Sequence, residues 1–113
     1  MFIRQLRRIA LLAATLGLAL TAGAATTRLT GTITDSMCGL HHMMKGNPAK
    51  CTRDCVKSGS HFALAVHGRV IVLQPENAAA RSALSRYAAR RVTLFGSYSG
   101  KIFEVSRVVK AGK

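Results

Sequence analysis

Residues 35–59, DSMCGLHHMMKGNPAKCTRDCVKSG, hold all three cysteines, two of the four histidines and three of the four methionines of the 113-residue chain. No other stretch constrains the fold as strongly. Thiol, imidazole and thioether groups packed this densely into a polar segment point to a metal ion or to a disulfide staple, with reduced, buried or intermolecularly paired cysteines as the remaining alternative. The sequence on either side carries the alternation of apolar and polar residues expected of strands.

Residues 1–24 read as a separate unit. MFIRQLRR is a cationic start, IALLAATLGLAL is an apolar run too short to span a bilayer comfortably, and Ala22-Gly23-Ala24 matches a small-residue cleavage site. A secretory signal peptide is expected, with no membrane-spanning segment after cleavage and an exported product, periplasmic or secreted. The other reading is an uncleaved amino-terminal anchor. Arg7-Arg8 hints at twin-arginine export, but Ile9-Ala10-Leu11 fits that signal poorly.

Residues 25–113 are then enough for one small domain with a modest core, to which a metal or a disulfide adds useful stability. With Arg4, Arg7 and Arg8 removed, 14 basic residues face 4 acidic ones, a net charge of +10. Such an excess favours weak polyanion binding, although scattered Lys and Arg also serve solubility alone. Arg86, Arg90 and Arg91 are the nearest approach to a basic cluster. Phe62, Tyr87, Phe95, Tyr98 and Phe103 are the aromatic residues that a single-strand binder would need as stacking platforms.

RLTGTITD alternates from Arg28 and predicts a first strand, with Gly31 allowing a bend or a close backbone approach. Gly46-Asn47-Pro48 predicts a turn into a helix, with Asn47 as N-cap and Pro48 as first helical residue, ending near Gly59. Cys51 and Cys55, four residues apart, then share one helix face. Phe62–Val66 and Arg69–Leu73 predict a hairpin across His67-Gly68. AAARSALSRYAAR, capped by Asn77, predicts a second helix with Ala80, Leu84 and Tyr87 or Ala88 facing inward. Arg91–Tyr98 and Lys101–Val109 predict a last hairpin across Ser99-Gly100. The expected fold is mainly β with two short helices, a five-stranded OB-like barrel whose first connection is the Cys/His-rich loop.

Three chemical features of that loop follow. Cys38, His41 (or His42), Cys51 and Cys55 supply a Cys3His set, which suits structural zinc in a closed, non-catalytic site. Thioethers from Met37, Met43 and Met44 beside His41-His42 would instead suit copper(I), although methionines also serve as core fillers. Alternatively Cys38 pairs with Cys51 or Cys55 as a disulfide staple, leaving one thiol and a module that binds an anionic ligand through its basic surface. His61 and His67 fall beside strands and read as turn or edge residues. Four carboxylates, Asp35, Asp54, Glu76 and Glu104, form no acid/base pair by spacing, and no nucleophile or phosphate-loop motif occurs, so an enzyme is not expected.

Gly31, Asp35-Ser36-x-Cys38 with a nearby His, Cys51-x3-Cys55-Val56, Gly59 and Val92-Thr93-x-x-Gly96 together resemble a family of small exported bacterial proteins classed as a domain of unknown function. The resemblance covers most of residues 25–113. It implies a secreted, barrel-like domain with a cysteine-rich first loop, and it implies no activity. His42, Met43 and Met44 go beyond the family pattern.

Overall fold

The computed structural model describes residues 26–41 and 46–112, together with Gly17. The signal-peptide reading of residues 1–24 and the ligand readings of His42, Met43 and Met44 therefore fall outside the described residues. No helix among the described residues is long and apolar enough to cross a membrane.

The alternation seen in sequence becomes a five-stranded sheet with two helices. The elements are β1 (Thr27–Asp35), α1 (Pro48–Lys57), β2 (Phe62–Val66), β3 (Arg69–Pro75), α2 (Ala78–Arg86), β4 (Arg91–Ser99) and β5 (Ile102–Lys110). The strands run in the order β1-β2-β3-β5-β4, and β4 returns to β1, so the sheet closes as a ring. All neighbours are antiparallel except β3 and β5, which pair in parallel from Leu73–Phe103 to Pro75–Val105. Inward residues are apolar at period two, as in Val92 and Leu94 of β4 or Phe103 and Val105 of β5. They meet Ile33, Leu64 and Leu73 in one core, which Ala80 and Leu84 of α2 close at one end.

Two glycines make the ring geometrically possible. β1 pairs with β4 over Thr27–Thr32 and with β2 over Thr32–Asp35, changing neighbours at Gly31-Thr32. A β-carbon at Gly31 would run into the carbonyl oxygen of Ala65, so only glycine allows the two strands to approach this closely. Gly96 sits at a register shift between β4 and β5, and a β-carbon there would collide with the carbonyl of Glu104. Such a bulge bends the strand and tightens the closure.

The local stop and start signals behave as their chemistry requires. The side chain of Asn47 accepts a hydrogen bond from Lys50 N–H at 3.0 Å, and that of Asn77 accepts from Ala80 N–H at 2.7 Å. His67 and Gly68 both have positive φ, 47° and 75°, which is the two-residue turn that matches strand twist. The second helix is shorter than its alanine-rich sequence predicts. It stops at Arg86 because Ala89 N–H donates to Ile33 C=O at 2.9 Å and Ile33 N–H donates to Arg90 C=O at 3.1 Å, so pairing with β1 overrides helix propensity. Ala88 is buried and Tyr87 packs partly against the core, so both expected positions contribute. The third strand, predicted over Arg69–Leu73, runs two residues further to Pro75, which lies opposite Val105.

Replacing Gly96 by alanine is expected to destabilise the fold by about 1–3 kcal/mol, because a strand carbonyl must move to admit the methyl group. Gly112→Ala, where a β-carbon meets nothing within 4 Å, serves as the control in urea unfolding and should leave the midpoint unchanged.

Candidate metal centre

The site is built outward from the end of β1. Asp35 is fully buried, and its Oδ1 accepts hydrogen bonds from Met37 N–H at 3.0 Å and Cys38 N–H at 2.8 Å. An aspartate that gathers the amides two and three residues ahead forces the chain to turn. Gly39 N–H closes the same turn onto Asp35 C=O at 2.9 Å, and the Thr34 hydroxyl donates to Gly39 C=O at 2.7 Å. Gly39 takes φ of +60°, which a residue with a side chain rarely adopts. Cys38 is thus held by four hydrogen bonds around its own turn.

The second half of the site comes from α1. Its Asn47 cap and Pro48 start set the helix phase, so Cys51 and Cys55 point the same way one turn apart. Thr52 and Val56 fix the helix against the core, while Arg53 Nε–H donates to Ser85 C=O at 3.0 Å and ties α1 to the end of α2. The loop is cross-tied to the residues after α1 by Ser36 and Ser60. Their hydroxyls lie 2.9 Å apart, Ser36 N–H donates to His61 C=O at 2.9 Å, and Ser60 N–H donates to Cys55 C=O at 3.0 Å.

These contacts bring three sulfurs together. Cys38 Sγ lies 3.5 Å from Cys51 Sγ and 3.8 Å from Cys55 Sγ, and all three lie within 4.8 Å of one another. No S–S bond joins them, since that bond is only about 2.0 Å long. The spacing suits shared coordination better. Four thiolates at about 2.3 Å from a tetrahedral ion stand about 3.8 Å apart. The three cysteines can therefore hold a metal ion.

The electrostatics point the same way. Partial burial pushes the Cys55 thiol up from 9.0 to about 12, with further contributions from its hydrogen bond to Cys38 and from the charges of Asp35 and the other two sulfurs. Three thiolates beside a buried carboxylate repel one another, and a cation removes that repulsion. Among the described residues, Asp35 Oδ2 and Thr52 Oγ1 are buried polar atoms with no hydrogen-bond partner, and each belongs to a residue next to or ordering a cysteine.

The other expected ligands stand differently. His41 N–H closes a turn onto Cys38 C=O at 3.1 Å, yet the residue is exposed and its imidazole is not in the group of convergent sulfurs. His61 and His67 are exposed and also lie outside that group. Met37 is 66% exposed, so it is no core filler, and Leu40 is 47% exposed. The loop is held by side-chain and backbone hydrogen bonds rather than by these apolar contacts. Asp35, which by spacing joins no acid/base pair, orders the Cys38 turn instead. An aspartate three residues before a cysteine is the signal that could have shown it.

The basic surface is also rearranged by folding. Arg86, Arg90 and Arg91 are all exposed, with the Arg86 guanidinium 5.2 Å from the centre of the Tyr87 ring. A second basic group comes from three separate strands. Register places Phe95 between Arg28 and Arg107, whose guanidinium carbons lie 5.5 Å and 4.1 Å from its ring centre. Phe62 and Phe103 are buried and cannot serve as stacking platforms. Compared with known protein families, with curated proteins and with solved structures, the chain matches none.

A pH dependence follows from Cys55. Its ordinary pKa of 9.0 applies to the unfolded chain, and about 12 to the folded one, so between these values the folded state retains the extra proton. The metal-free protein should therefore keep this contribution below pH 9 and lose stability as pH rises through 9 towards 12. Urea unfolding at pH 8 and 10.5 under reducing conditions should show the decline, and Cys55→Ala should make it shallower.

Proposed function

We propose that the protein is an exported, non-catalytic metal-binding domain of OB type, with Cys38, Cys51 and Cys55 as thiolate ligands. The convergence of three sulfurs from a β-turn and one helix face, 3.5 and 3.8 Å apart, carries this reading. Thiolate ligands select zinc or copper(I) over harder ions. The buried carboxylate of Asp35, and the repulsion that would arise among the sulfurs once they ionise, add a demand for positive charge at the same place. A fourth ligand completes a tetrahedron, and His41 is the residue we assign to it through movement of its exposed ring. His42 joins Met43 or Met44 only in a copper-type site. Export, and kinship with the small secreted domains of unknown function that share the Asp-Ser-x-Cys and Cys-x3-Cys pattern, belong to the same proposal.

The experiment is a zinc titration of reduced protein against a colorimetric chelator in weakly buffered solution. One equivalent should bind with release of thiol protons, and affinity should rise with pH. Any single Cys→Ser change should abolish stoichiometric binding. His41→Ala should weaken it about 10-fold or more, while His42→Ala should do little. Failure to bind zinc or copper(I), together with two blocked thiols and one reactive thiol in air-exposed protein, would establish the disulfide-stapled module instead.

A second reading, weak attachment to polyanions, is favoured by one observation. Among the described residues the ion pair found is Lys50–Asp54, which leaves the arginines of both basic groups without carboxylate partners. Retention on heparin should fall steeply with salt, as counterion release requires. Arg28→Gln with Arg107→Gln should lower the eluting salt at least as much as replacing Arg86, Arg90 and Arg91, because Phe95 holds its two guanidinium groups in one row. Unchanged elution in both sets would remove the reading.

A further inference from the structure

The β2–β3 turn and the β4–β5 turn lie next to each other at one end of the sheet. Between them is a cleft of about 580 Å³, within the range of small-molecule sites. Its floor is apolar, made by Val66, Val70 and Ile71. Tyr98 forms a wall and is 50% exposed, which is unusual for a ring with so much apolar area to bury. The ring is nevertheless held in place, since it meets the buried Phe103 edge-on with ring centres 5.1 Å apart and planes at 76°. Fixed and half-exposed, it offers a surface for stacking at little cost in conformational entropy.

The rim is cationic. Arg69 and Lys101 both border the cleft, both are exposed, and no carboxylate lines it. Val70, itself 37% exposed, also faces the metal-loop turn, because a β-carbon at Gly39 would lie 3.6 Å from its Cγ2. Val70 thus stands between the cleft and the turn that carries Cys38, and none of the residues lining the cleft is a sulfur ligand.

We propose that this cleft binds a small organic anion with a flat apolar body, in chemical class an aromatic carboxylate or sulfonate. The flat body stacks on Tyr98 and covers Val66, Val70 and Ile71, while the anionic group faces Arg69 and Lys101. A purely apolar ligand would leave two cations at its edge without a partner. A purely ionic one would leave the apolar floor and the ring in water. The combination of a fixed ring, an apolar floor and two cations with no acid answers both halves of such a ligand. The proposal does not depend on the metal reading.

The test uses 2-naphthalenesulfonate as probe against the full chain, followed by amide chemical shifts. The shifts should saturate and cluster on Val70, Ile71, Tyr98 and Lys101, and uncharged 2-naphthol should bind more weakly. Tyr98→Ala should raise Kd about 3- to 10-fold through lost stacking. Arg69→Gln with Lys101→Gln should raise it by about 5-fold. The pair Lys57→Gln and Lys110→Gln, both exposed and outside either basic group, removes the same charge elsewhere and should leave Kd unchanged. All the replaced side chains are at least partly exposed, and an unchanged amide spectrum away from the cleft verifies folding of each variant. Equal losses from the two charge pairs would reduce the binding to diffuse electrostatics and overturn the proposal. Shifts scattered over the molecule, or tighter binding of a short single-stranded oligonucleotide than of the probe, would overturn it as well.

Discussion

The molecule depends on one strand serving two neighbours. β1 pairs with β4 along its first half and with β2 along its second, and the exchange at Gly31 is what lets the sheet close into a ring. Closure removes the exposed strand edges that a small sheet would otherwise present. It also decides where the chain leaves β1. At that exit stands Asp35, buried and still paired with Phe62, with its carboxylate facing the amides of the next turn.

From there the site follows by a short chain of causes. The buried aspartate bends the backbone, Gly39 supplies the left-handed residue, and Cys38 is fixed at the rim of the ring. α1, capped by Asn47 and anchored through Val56 and Arg53, delivers two more sulfurs from one face. None of these elements is elaborate by itself. The sulfurs converge because turn and helix are both tied to the same sheet. Three sulfurs this close together could hold a metal ion. The Cys55 thiol resists ionisation on its own, and a cation shared by the three sulfurs would offset that cost.

A small domain with this topology has little core to spare, and it uses glycine where a side chain would hold strands apart. The same economy leaves apolar groups outside. Val70, Tyr98 and Ile102 remain exposed on two adjacent hairpins because a ring of five short strands has too little interior to receive them. Exposed apolar surface beside cations is where a ligand gains most from leaving water.

Local chemistry along the chain was enough to place the strands, both helix caps, the turn at His67-Gly68 and the shared face of Cys51 and Cys55. Each of these depends on residues within four positions of one another, so period, cap and turn residues carry the information. The early end of the second helix was not legible, because Ile33, more than fifty residues away, takes the hydrogen bond that would have continued it. For the same reason sequence could not bring Arg28, Phe95 and Arg107 into one row, which exists only through strand register. The metal centre divides along this line. Its ligand types and the helix spacing are written in the segment from Asp35 to Gly59, whereas the meeting of Cys38 with the helix pair was decided by the buried carboxylate of Asp35 and the closure of the sheet behind it.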